Sequence, residues 1–160
     1  MTSKEKQIET LLNKALFFLQ FRARTVKEMR AYLEKKTETL MFNKEHVKEV
    51  INYLKERNYL DDEEFAKFFI ESRAKTKPKG IYVIRRELEQ KGVEGNTIEK
   101  LLLEINLDEK SLAQRALQKK MSSWTGLDKK KKKQQAYAYL SRKGFSYDII
   151  KKACEEMDAE

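Results

Sequence analysis

Tyr32-Leu33-Glu34-Lys35-Lys36-Thr37, Glu87-Leu88-Glu89-Gln90-Lys91-Gly92 and Tyr139-Leu140-Ser141-Arg142-Lys143-Gly144 are three copies of one pattern, Leu-x-x-Lys followed by Gly or Thr. Their leucines stand 55 and 52 residues apart, and an apolar residue precedes each by four positions (Met29, Ile84, Ala136). Apolar residues at i and i+4 share one face of a helix. A period of about 50 residues means stacked supersecondary units, not one globule around a central pocket. The function expected of such an array is recognition along a surface, not chemistry in a cleft.

Helices extend outward from these copies. Ile8, Leu11, Leu12, Ala15, Leu16 and Leu19 make a first apolar stripe. Thr25-Val26-Lys27-Glu28 is a capping box that opens a second helix with Val26, Met29 and Leu33 inward. Asn43 caps a third, carrying Val47, Val50, Ile51 and Leu54, and this unit closes near Asn58. Asp61-Asp62-Glu63-Glu64 opens a fourth with Phe65, Ala66, Phe68 and Phe69, which ends around Lys75 because Pro78 and Gly80 interrupt it. Ile81, Ile84 and Leu88 line a fifth that Gly92 terminates in the left-handed conformation. Asn96 is expected to cap a sixth with Ile98, Leu101, Leu102 and Ile105. Asp108 starts a seventh with Leu112, Ala113, Ala116 and Leu117. After a looser stretch from Ser122 to Gly126 comes a lysine-rich eighth with Tyr137 and Leu140, ended by Gly144. Ser146 caps the last, with Ile149, Ile150 and Ala153. The expected fold is all-α: three tandem three-helix repeats, about nine helices in an elongated curved array, over residues 1–58, 59–106 and 107–160. Units this small lean on their neighbours for stability, and Tyr59, Phe65 and Trp124 near the joints are expected to supply packing.

Composition agrees. One proline and five glycines in 160 residues leave few turns, and no apolar run approaches the ~20 residues of a membrane span. Met1-Thr2-Ser3-Lys4-Glu5 leads into a charged amphipathic helix, unlike a secretory signal. The single cysteine, Cys154, fits a reducing cytoplasm and reads as a small core residue.

Charge carries the functional signal. The chain has a net charge of +9, but residues 110–152 hold thirteen lysines and arginines against Asp128 and Asp148, leaving −2 elsewhere. Lys129, Lys130, Lys131, Lys132 and Lys133 point around a helix end as a basic knob. A second cluster comprises Arg73, Lys75, Lys77, Lys79, Arg85 and Arg86, and a third Arg22 and Arg24. Such clusters attract phosphates without reading sequence. A lysine run is also the ordinary make-up of a solvated face. The tail Glu155-Glu156-Met157-Asp158-Ala159-Glu160 is acidic and placed to screen the patch. Catalytic signals are missing. His46 is the only histidine and reads as exposed, and there is no zinc pattern, phosphate loop or dinucleotide fingerprint. Asp61 and Asp62 read as helix caps and not as a catalytic or metal-binding pair. Neither a metal nor a cofactor is expected.

Four motifs in register together resemble the RecX family of recombination regulators. They are Arg22-Ala23-Arg24-Thr25-x-x-Glu28, Tyr59-Leu60-Asp61-Asp62-Glu63-Glu64-Phe65-Ala66, Lys79-Gly80-x-x-x-Ile84-x-x-Glu87-Leu88-x-x-Lys91-Gly92 and Leu140-x-x-Lys143-Gly144-Phe145-Ser146-Tyr147-x-Ile149. The chain departs from that pattern where Thr37 replaces a usual glycine, Val26 and Met29 replace commoner leucines, and Lys143 replaces a frequent arginine. The resemblance implies a non-enzymatic, cytoplasmic protein that binds the RecA recombinase and its filament on single-stranded DNA. It also implies limits on RecA's ATP hydrolysis, strand exchange and co-protease activity, and direct DNA binding in some members. Charge and position, not the family motif, single out Arg22, Arg24, Arg73, Lys75, Lys79, Arg85, Arg86 and Lys129 to Lys133 as the contacts of a monomer with filament or DNA.

Two rival classes stand beside this. One is a stand-alone DNA-binding protein of tandem helix-turn-helix-like modules, with Lys151 and Lys152 of the last helix as its reader. The other is a helical scaffold for a protein partner without DNA.

Overall fold

The computed structural model describes residues 1–158, and within them all regular structure is helical. Nine α-helices follow in order: α1 (Ser3–Leu19), α2 (Val26–Leu40), α3 (Glu45–Glu56), α4 (Asp62–Lys75), α5 (Ile81–Gln90), α6 (Gly95–Ile105), α7 (Glu109–Met121), α8 (Lys129–Arg142) and α9 (Tyr147–Asp158). A 3-10 turn, Ser122–Trp124, separates α7 from α8. These are tandem three-helix repeats. Ala159 and Glu160, the end of the acidic tail, lie outside the described residues.

The chain forms two compact units. The first comprises Met1–Ala66 with Lys91–Glu94, the second Lys67–Gln90 with Gly95–Glu160. In the first, α1, α2 and α3 bury Leu11, Ala15, Met29, Leu33, Val50 and Leu54. In the second, the core of α7, α8 and α9 holds Leu112, Ala116, Ala136, Leu140, Ile150 and Cys154. The repeated apolar pair accounts for both. Met29, Leu33, Ile84, Leu88 and Leu140 are all fully buried, Ala136 nearly so. Truncating a buried residue of this size costs about 2–5 kcal/mol.

Helix starts follow the capping chemistry. Thr25 and Glu28 form both halves of their box, and a further box at Thr2 and Glu5 opens α1. Asp61, Asp108 and Ser146 cap α4, α7 and α9. Asn43 differs from expectation: Lys44, which makes no side-chain cap bond, stands at the cap position of α3, and Asn43 Oδ1 accepts the Glu45 N–H at 3.0 Å from one residue further out. Asn96 is a correction: α6 begins at Gly95, so Asn96 lies inside its first turn. His46 is a second, being buried at 9% exposure. It stands one turn ahead of Val50 and two ahead of Leu54, which puts it on the inner stripe of α3. Tyr59 is a third; it is 53% exposed and belongs to neither core.

Two junctions built alike explain the glycines. At the start of α2, Thr25 Oγ1 donates to Lys91 O at 2.6 Å, and the Val26 N–H donates to Asp62 Oδ1 at 2.9 Å. Gly92 (φ +89°) approaches so closely that a Cβ there would lie 2.5 Å from Lys27 Cβ. At the start of α5, the Gly80 N–H donates to Lys143 O at 2.8 Å, and the Ile81 N–H donates to Glu109 Oε1 at 3.2 Å. Gly144 (φ +93°) would place a Cβ 2.6 Å from Val83 N. Each helix start thus receives a carboxylate from the first turn of a later helix and the carbonyl of a Lys-Gly turn. The carboxylates suit the free N–H groups and positive end of a helix, while the carbonyls accept from the Thr25 hydroxyl in one junction and the Gly80 N–H in the other.

Thr37 enters no such junction among the described residues. It is buried within α2, its hydroxyl donating to Glu34 O at 2.6 Å. The helix runs on to Leu40 and turns left-handed at Met41 (φ 56°), where the Phe42 N–H closes onto Thr37 O. A helix end that docks on nothing tolerates a non-glycine turn at modest cost.

Asp62 caps a helix 36 residues away in sequence, and burial pushes its carboxyl above the ordinary range despite the Val26 hydrogen bond. Asp62→Ala is expected to destabilise the first unit by about 1 kcal/mol in denaturant unfolding.

Candidate interaction site: the basic clusters

The twelve basic residues singled out by charge divide by their surroundings. Arg22 pairs with Glu28. Arg24 lies 3.7 Å over the Phe18 ring and donates to Phe18 O, and Phe18 stacks in turn on Tyr32 at 4.0 Å. Arg73 and Lys79 share Glu87, with Arg73 also 4.5 Å over Phe69. Arg85 pairs with Glu99. These five side chains hold helices together within their units. Lys75 and Arg86 are exposed.

Lys129 to Lys133 are arranged differently. They fill the first turn of α8 behind the Asp128 cap, whose Oδ1 accepts the Lys131 N–H at 2.8 Å. Lys129, Lys130, Lys131 and Lys133 are exposed and Lys132 half-buried. Among the described residues none of the five ammonium groups has a carboxylate partner, and no acid from another helix reaches this helix start. Five cations therefore surround a helix end that already carries partial positive charge. The macrodipole disfavours a cation there by about 0.3–1 kcal/mol. The arrangement works against helix stability and favours an incoming anion.

The acidic tail leaves this knob alone as far as it is described. Glu156 accepts from Lys110 at 2.6 Å and from Gln114 at 2.8 Å on α7, and those hydrogen bonds hold its carboxyl below the ordinary range.

Sequence reasoning passed over the space beside the lysines. A cavity of about 570 Å³ opens among Leu117, Met121, Trp124, Ala136 and Cys154, rimmed by Lys129, Lys130, Lys132 and Lys133. Trp124 packs against the core as expected and meets Tyr139 edge-on at 6.0 Å, yet it also forms a wall of this cavity. The available signal was the placement of the one tryptophan between Lys119-Lys120 and the lysine run. Lys120 lies 5.8 Å from the centre of the Tyr139 ring, and Lys119 reaches Thr76 O at 3.5 Å.

Glu87 organises the middle cluster. Burial alone would raise its carboxyl, but hydrogen bonds from Lys79 and Arg73, with their charges, outweigh this and hold it below 4.5. A carboxyl with a lowered folded value stabilises above its unfolded value and loses that contribution as pH falls. Acid unfolding of the second unit should therefore steepen as pH drops through and below about 4.5. Glu87→Gln should flatten that dependence and cost about 1 kcal/mol at neutral pH, a modest figure because all three side chains remain partly exposed.

Residues 61–102 match the family model described as RecX, second three-helix domain, and residues 108–154 the one described as RecX, third three-helix domain. Regulatory protein RecX of Bacillus subtilis (strain 168) is 35% identical over 155 residues, 96% of this chain and 57% of that protein. The Streptococcus pneumoniae (strain CGSP14) protein of the same name is 36% identical over 149 residues, covering 92% and 55%. The chain thus spans somewhat over half the length of the curated relatives it matches. The crystal structure of RecX from Lactobacillus salivarius superposes with a TM-score of 0.80 at 26% identity, over 98% of this chain and 99% of that one. Two family domains covering more than half of the chain, relatives similar along nearly all of it and a solved RecX of the same fold place this protein in the RecX family of regulatory proteins.

Proposed function

We propose that this protein binds the RecA recombinase and its filament on single-stranded DNA and, without chemistry of its own, lowers RecA's ATP hydrolysis, strand exchange and co-protease activity. Recombination, DNA repair and the SOS response would be its setting, in the cytoplasm and as a monomer. Family membership carries this reading. Repeats of about 50 residues suit a filament, itself a repeating surface on which adjacent repeats bridge adjacent RecA subunits. The lysine knob of α8 supplies the contact with DNA or an acidic filament surface, joined by the exposed Lys75 and Arg86. Arg22, Arg24, Arg73, Lys79 and Arg85 shape that surface from their internal pairings.

Co-sedimentation with RecA filaments across a salt series tests this. Association that weakens steeply with salt is expected, and association indifferent to salt removes the lysines from the mechanism. The stand-alone DNA-binding reading draws on the exposed Lys151 and Lys152 of α9. Against it, α6 in the equivalent place carries Glu99 and Glu104, with Glu99 tied to Arg85. Sequence-specific binding to a short duplex without RecA would favour that rival.

A further inference from the structure

We propose that the cavity beside α8 receives an unpaired nucleobase of single-stranded nucleic acid, with Trp124 as its aromatic wall and the rim lysines on the flanking phosphates. This rests on the nucleic-acid contact proposed above and adds to it a means of telling single strand from duplex.

The cavity joins two chemistries. Leu117, Met121, Ala136 and Trp124 make an apolar pocket of about 570 Å³, within the range of roughly 300–1,000 Å³ that holds compact organic ligands. Lys129, Lys130, Lys132 and Lys133 stand at its mouth without carboxylate partners among the described residues. An occupant must therefore offer a flat or apolar part to the interior and negative charge at the entrance. Lys131 belongs to the same first turn of α8, so four rim lysines and a fifth neighbour gather at one helix start. Four cations at one mouth exceed the charge of a single phosphate and so fit a polyanion better than a small singly charged ligand. A nucleic-acid strand presents phosphates at regular intervals and a base beside each. Only an unpaired base is free to leave the backbone line and enter. Base–aromatic contact of this kind tolerates any sequence, as expected of a protein acting on arbitrary single strands.

Trp124 is the only tryptophan of the chain, so its fluorescence reports on this wall alone. The full-length protein is titrated with an oligothymidylate of roughly 12 nucleotides, with an abasic strand of equal length, and with a blunt duplex. Saturable quenching by the oligothymidylate is expected, with binding roughly 10-fold or more tighter than to the abasic strand or the duplex. Followed by the fluorescence anisotropy of end-labelled strands, since the variant has no tryptophan, Trp124→Leu should abolish that preference while leaving duplex affinity and its salt dependence unchanged. Should that variant fail to fold, the comparison of three ligands on the unaltered protein still decides. Equal quenching and affinity for all three would overturn base entry and leave phosphate contact standing. Quenching by polyglutamate as strong as by the oligothymidylate would overturn it in favour of an acidic protein surface. No oligonucleotide binding at all, with RecA still inhibited, would overturn the nucleic-acid contact itself but not the regulator.

Discussion

Replacing Lys129 to Lys133 together with glutamine is expected to weaken binding to single-stranded DNA and to RecA filaments on the order of 100-fold at about 0.1–0.2 M salt. The figure follows from counterion release. Each phosphate contact on a single strand contributes about 0.7 to the slope of log affinity against log salt, so five contribute about 3.5. Between about 0.2 M and 1 M salt, where this electrostatic share vanishes, that slope is worth about two decades, so a variant that lacks it binds on the order of 100-fold more weakly at about 0.2 M. The same substitution should raise thermal stability. It removes cations from the positive end of α8, where each costs about 0.3–1 kcal/mol, so a gain of a few degrees in Tm is expected. Loss of binding alongside a gain in stability separates a functional role from a structural one. A variant that melts lower and still binds would show that the knob serves the fold.

Gly80→Ala is expected to destabilise the second unit by about 3–5 kcal/mol, as much as any single substitution in the chain. A Cβ at this position would overlap the backbone carbonyl of Gly144 and lie 2.5 Å from Phe145 N. Backbone gives way far less readily than a flexible side chain, so the junction holding the start of α5 to the end of α8 must open. That junction includes the hydrogen bond from the Gly80 N–H to Lys143 O, and its loss exposes free groups at both helix ends. Gly95→Ala is the control of opposite sign. Nothing lies within 4 Å of a Cβ there, and the residue opens α6. Alanine should stabilise it by up to about 0.5 kcal/mol. Chemical denaturation of the two variants side by side checks both, and equal stability would contradict the packing described.

Much of this architecture was legible because local chemistry determined it. The boxes at Thr25 and Glu28, the acids at Asp61 and Asp108, and Ser146 all act within three residues, a distance at which sequence neighbours are also spatial neighbours. The buried pairs Met29 and Leu33, and Ile84 and Leu88, were legible from helical spacing alone. Longer connections were not. Asp62 reads as a cap for its own helix, and only the folded chain brings it to Val26. The close approach of Gly80 to Gly144 joins residues 64 positions apart, so composition offers no hint of it. His46 shows the limit of reading polarity for exposure, because its position on the inner stripe of α3 outweighed its chemistry. Among the basic residues, charge alone could not separate Arg73 and Lys79, held by Glu87, from the lysines at the start of α8, whose side chains have no carboxylate partner among the described residues.

The most direct test of the account is RecA's ATP hydrolysis on single-stranded DNA, titrated with this protein. Inhibition is predicted, relieved in parallel by the Lys129 to Lys133 substitution. Inhibition well below one copy per RecA subunit would indicate action at filament ends, and inhibition only near equal amounts would indicate coating of the groove. Undiminished hydrolysis at saturating protein, with direct DNA binding intact, would contradict a RecA-directed regulator.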